Sequence, residues 1–171
     1  MVDLAEIQAA YYMVAATGVL VAAVYYVFNM RATLQTRQAQ MLMSLYQKWN
    51  EPQFQEAWMD VMTWQWIDYS DFQSKYSRAS NPNENSKLIL LGSFFEGLGV
   101  FIKRGFIDPR LVDDLMSLYI VGFWQKVEPI FFEMRKRLNS PTTGEYAEYL
   151  YKVIYDIWKQ QHPETLNPYS P

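Results

Sequence analysis

Apolar and polar positions part sharply in the first fifth of the chain. From Ile7 to Met30 the sequence IQAAYYMVAATGVLVAAVYYVFNM holds 24 residues without a charge. A helix rises 1.5 Å per residue, so about 20 apolar residues cross the hydrocarbon core of a bilayer. The stretch predicts a membrane-spanning helix, and residues 1–30 are assigned to an anchor. A removable leader carries a basic start and a shorter apolar core. Here Asp3 and Glu6 precede the run and no Lys or Arg does. The rival arrangement is a helix buried in a soluble body.

After the anchor the pattern becomes that of an ordinary helical domain, assigned to residues 31–160. Arg31–Trp49 contains neither Gly nor Pro, so the anchor helix is expected to run on through it. Leu34, Met41, Leu45 and Trp49 approximate an apolar stripe, with Gln38 as a gap. That is too short for a coiled coil and fits packing on the chain's own domain. Pro52 opens a second helix running to about Trp66, with Phe54, Ala57, Trp58, Val61 and Met62 inward. Trp58, Trp64 and Trp66 look like a binding box, but large aromatics at this spacing are more often core. A short turn at Ser70–Gln73 and a polar loop at Ser77–Ser86 follow.

The most apolar helix of the domain is predicted over Ser86–Arg104, with Gly105 closing it. Gly92, Gly97 and Gly99 each cost about 1 kcal/mol relative to Ala inside a helix, and close approach of a neighbouring helix would justify them. Asp108 and Pro109 then form a helix start, with Asp113 near the positive end of the dipole. A stripe from Val112 through Leu115, Met116, Ile120, Trp124 and Phe131 to Met134 carries this helix to Asn139, and Pro129 is expected to bend it. Thr142 and Glu145 have capping-box spacing before a last helix, whose inner face is Tyr146, Leu150, Val153, Ile154, Ile157 and Trp158. Its tyrosines 146, 149, 151 and 155 surround it, so part of this helix is a candidate partner face. Residues 161–171, rich in Pro, form a tail.

Composition narrows function mainly by exclusion. Half of the residues are hydrophobic, 17% are aromatic and the net charge is −3. No basic run interleaved with aromatics points to nucleic acid. Cysteine is absent, which removes disulfides, thiolate metal sites and a cysteine nucleophile. The one histidine, His162, cannot build a zinc site or a carboxylate-bridged di-iron centre by itself. Phosphate-loop and nucleophile-elbow motifs are missing from the sequence, and no cofactor is expected.

The segment FFEGLGVFIKRGFIDPRLVDDLMSLYIVGFWQKVEPIFFEMRKR, through Phe95, Glu96, Gly97, Gly105, Ile107, Asp108, Val112, Trp124, Pro129 and Arg135, resembles the central motif of an uncharacterised family. That family is a domain of unknown function found in archaea and bacteria. The resemblance implies one N-terminal membrane helix, an all-α domain and no assigned activity.

Two sets of residues carry the functional expectations. Ala15, Gly18 and Ala22 share one face of the anchor, and small residues there permit a second membrane helix to approach. Glu96 is an acid among apolar residues, where an unpaired charge is costly, and Arg135 is its expected mate. A ligand or proton site at Glu96 would need a second acid, for which Asp113 or Asp114 could serve if the fold brought them near. A structural ion pair is the simpler reading. The expected protein is all-α: a single membrane helix continuing into a bundle of four or five helices. Lys and Arg follow the anchor and none precede it, which places the domain in the cytoplasm and the N-terminus outside. The expected role is a non-catalytic interaction or scaffold module at the bilayer, such as an accessory subunit, with a protein partner or second copy meeting it through the anchor or the last helix. The alternatives are a sensor or ligand-binding domain with a pocket near Glu96 and, less favoured, a carboxylate-only enzyme.

Overall fold

The computed structural model describes residues 3–163, so most of the expected tail lies outside the described residues. The described chain is all-helical: α1 (Leu4–Trp49), α2 (Pro52–Thr63), α3 (Tyr69–Tyr76), α4 (Pro82–Lys103), α5 (Pro109–Leu138) and α6 (Glu145–Gln161). It divides into two compact units, Met1–Gln40 and Met41–Pro171. The division falls ten residues beyond the boundary expected after residue 30.

In the first unit every described side chain is exposed except Gln38, which is half-buried. The apolar run is thus exposed along its whole length. Thr17 donates to the carbonyl of Met13 at 2.8 Å, which satisfies its hydroxyl within the helix. Helix α4 is also long and apolar enough to cross a membrane, but a third of its apolar stretch is buried in the second unit. It is a core helix.

The second unit is built on aromatic packing. Trp49 is fully buried, with the rings of Phe94, Phe95 and Tyr119 at 5.5, 5.4 and 4.9 Å. The inward stripe before it is Leu42, with Leu45 and Tyr46 half-buried, while Leu34 and Met41 are exposed. Helix α2 runs antiparallel to α4, tied by Phe54 on Phe94, by Lys87–Asp60 at 2.5 Å and by Trp64 donating to Glu84 at 3.0 Å. Helix α6 packs on both α4 and α5.

Prolines and caps set most helix ends. Pro52, Pro82 and Pro109 each open a helix, where a missing N–H costs nothing. Helix α4 begins earlier than Ser86 because the Asn81 side chain accepts from the Glu84 N–H and caps it. Helix α2 stops at Thr63, before Trp66. The short helix α3 is longer than the expected turn and starts from Asp68, which accepts from the Asp71 N–H. Gly105, at φ +71°, closes α4: Phe106 donates to the Phe101 carbonyl and Gly105 to that of Ile102, both at 2.9 Å. Asp108 caps α5 through the Arg110 N–H at 2.9 Å.

Of the helical glycines, only Gly99 answers to the expected close approach. A Cβ there would overlap the Tyr146 carbonyl oxygen and lie 2.6 Å from its carbon. At Gly97 a Cβ would meet nothing within 4 Å, and at Gly92 it would make an ordinary 3.6 Å contact with Phe131.

Candidate functional site

The end of the bundle where α6 begins holds an open groove of about 420 Å³. Leu88 and Ile89 of α4 form one wall, and Phe131 and Met134 of α5 form the other. Asn85, Ser93, Glu96 and Thr143 supply its polar edges. Gly144, between α5 and α6, adopts φ +69° and lets the Phe131 ring lie where a Cβ would stand. Helix α6 thus starts from a residue that has no side chain to cap it.

Glu96 supplies the missing cap from another helix. Its carboxylate accepts from the Ala147 N–H at 2.8 Å, at the third position of α6. A carboxylate at the positive end of a helix dipole is stabilised there. The capping box expected from Thr142 and Glu145 does not form, because Gly144 occupies the cap position.

The expected Glu96–Arg135 pair is not made. Arg135 pairs with Glu148 at 2.6 Å and donates Nε to the Thr143 carbonyl at 2.8 Å. Its Nη2 is buried without a partner. Burial works against ionised Glu148, but hydrogen bonds from Lys152 and Arg135 outweigh it and hold the carboxyl below its ordinary range. Glu96 and Arg135 therefore both secure the first turns of α6, through different atoms.

Asp113, expected near the positive end of the α5 dipole and as a possible second acid, is a buried side chain. It is 6% exposed and its Oδ1 lacks a hydrogen bond. Burial pushes its carboxyl above the ordinary range and Asp114 adds to the push, while His162 and the Gln161 side chain oppose it. The signal was in the sequence: Asp113, Met116, Ile120 and Trp124 lie on one face, and the three apolar members are buried. Asp113 faces the end of α6 and Glu96 faces its start. Fourteen helical residues separate Ala147 from Gln161, or about 20 Å. The two acids cannot act as one dyad.

The tryptophans resolve chiefly as core. Trp64 is buried and stacked on Tyr76 at 4.2 Å, and Trp58 is half-buried edge-on to Tyr119 at 5.3 Å. Trp66 lies nearer the surface, with the Lys126 ammonium 5.0 Å from its ring centre. Lys126 also donates to the Trp64 carbonyl at 2.5 Å, and burial lowers its pKa. Tyr146, Tyr149, Tyr151 and Tyr155 of α6 are all half-buried against their own bundle.

Residues 12–154 match the family model described as a domain of unknown function, DUF4760. The chain belongs to that family. No curated protein and no solved structure matches it. The match begins inside the apolar run and ends within α6, so the family's domain includes most of α1 as well as the bundle.

Proposed function

We propose that this DUF4760 chain is a membrane-anchored, non-catalytic interaction module. The observation that carries the reading is the uncharged run 7–30, exposed at every position and lying largely within the family's domain. A leader that is cut away would not be expected inside a domain shared across a family. Exposed apolar side chains over some six helical turns are costly in water and stable in lipid. The Lys/Arg bias supports a single pass with the bundle on the cytoplasmic side. Ala15, Gly18 and Ala22 give the span a face on which a second helix, from a partner or another copy, can lie close. At Gly18 a Cβ would meet nothing within 4 Å. The anchor then raises the bundle's effective concentration near membrane partners.

Fractionation of cells expressing the full chain tests this. The chain should stay with membranes through alkaline carbonate, leave them in mild detergent, and lose its bundle to protease only when the cytoplasmic face is open. Recovery in the aqueous fraction, or a product shortened by the length of the run, would overturn the reading.

The groove beside Glu96 favours a second reading, a ligand-binding or sensor domain, since its size and apolar walls suit a small apolar molecule. Native mass spectrometry of the detergent-purified chain distinguishes it. A bound adduct lost on Ile89→Arg supports the groove as a receptor, and an adduct indifferent to that change removes it.

A further inference from the structure

Helices α4 and α5 meet in the segment Lys103–Leu111, KRGFIDPRL. The Gly105 closure and the Asp108 cap hold this turn in one shape. Ile107 is turned inward, 1% exposed, while Phe106 beside it is turned outward, 51% exposed. Leu111 follows on the outer face of α5 at 38% exposure. The cations Lys103, Arg104 and Arg110 are exposed around these two side chains. The segment's one acid, Asp108, accepts from the Arg110 N–H. Three cations less one acid give the segment +2, against −3 for the whole chain. Asp114, one turn further along α5, is exposed, and Asp113 is buried. The Lys103 ammonium lies 4.4 Å from the Tyr149 ring centre, and Arg104 and Arg110 make no ion pair among the described residues.

A fixed turn that presents Phe and Leu beside three exposed cations outside any ion pair has the chemistry of a bilayer contact. Apolar side chains enter the boundary between headgroups and acyl chains, and Lys and Arg meet anionic phosphates. A purely apolar protein partner would leave the arginines unused. We propose that the α4–α5 turn is a second membrane contact of this chain. Phe106 and Leu111 enter the interface, and Lys103, Arg104 and Arg110 bind anionic lipid headgroups. This contact rests on the reading of α1 as a retained anchor, which confines the bundle to a membrane surface.

The chain has no cysteine, so a single introduced one can be labelled uniquely. Full-length Phe106→Cys, Leu111→Cys and, as control, Ala79→Cys in the exposed α3–α4 loop are labelled with an environment-sensitive fluorophore. They are then placed in lipid nanodiscs of phosphatidylcholine with or without phosphatidylglycerol. In anionic discs the labels at 106 and 111 should shift to the blue and be quenched by nitroxide-bearing lipid, and the label at 79 should do neither. R104E together with R110E should abolish the quenching. A chain that incorporates while labels at 106 and 111 stay as water-exposed as at 79 overturns the proposal. Equal quenching in both lipids, untouched by the charge reversals, overturns the headgroup assignment. A chain that fails to enter discs overturns the anchor reading and this contact with it.

Discussion

Gly97 and Gly99 lie two residues apart in one helix, yet the same substitution at each should move stability in opposite directions. Helix propensity alone makes Gly→Ala favourable by about 0.8–1 kcal/mol. At Gly97 nothing lies within 4 Å of a new Cβ, so Gly97→Ala should keep that gain. At Gly99 the new carbon would overlap the Tyr146 carbonyl and stand 2.6 Å from its carbon. Carbon atoms pack best at about 3.5–4.0 Å, so α4 and α6 must part locally by roughly 1 Å. The obstacle is backbone, which cannot swing aside as a side chain can. Overpacking of this kind costs about 1–3 kcal/mol, and the rigid neighbour argues for the upper end. The net loss for Gly99→Ala is therefore about 2 kcal/mol. All six tryptophans lie at or beyond Trp49, so fluorescence reads the unfolding of the second unit alone. In urea, with a slope of about 2 kcal/mol per molar, Gly99→Ala should lower the midpoint by roughly 1 M and Gly97→Ala should raise it by roughly 0.5 M. A Gly99→Ala protein as stable as the parent, or two variants that shift together, would refute the close approach of α4 to α6.

Other substitutions test the two ends of α6. Glu96→Ala leaves the Ala147 N–H without its acceptor and should cost about 1–2 kcal/mol. Glu96→Gln keeps an acceptor oxygen and should lose only about 0.5 kcal/mol from the dipole, so equal losses in the two denaturation curves would rule out the cap. Arg135→Met leaves Glu148 to Lys152 alone and the Thr143 carbonyl without its donor, and should cost about 1–2 kcal/mol. Adding Glu148→Gln should recover part of that loss in a double-mutant cycle. Asp113 has a carboxyl raised in the folded state, so unfolding favours its ionised form. The folded protein then loses stability as pH rises from the ordinary Asp range, near about 4, through the raised folded value, and above that the penalty is constant. Asp113→Asn should remove this loss and be the more stable protein at neutral pH, which melting curves across pH can check.

The helical order was legible because it rests on local rules. Prolines at 52 and 109, Asp108 as a cap and Gly105 as a stop act within a few residues of themselves, and the apolar period of α5 spans several turns. Glu96 was identifiable as an acid out of place, but its partner was not. A peptide N–H has no letter in a sequence, so a charged side chain on another helix, Arg135, stood as its expected mate. The burial of Asp113 went unread although its face is shared with Met116 and Ile120, because its place at a helix start already offered the dipole as a partner. Gly99 and Gly97 could not be told apart at all, because only the path of α6 decides which of them is crowded.

A helix that borrows its first closure from 51 residues upstream cannot nucleate alone. During synthesis α4 and α5 emerge before α6, and until the last turns leave the ribosome the apolar surfaces they will share with it stand bare. The docking of α6 therefore completes the bundle in a single late event. A ribosome stalled before residue 145 would hold an adhesive intermediate for which chaperones would compete.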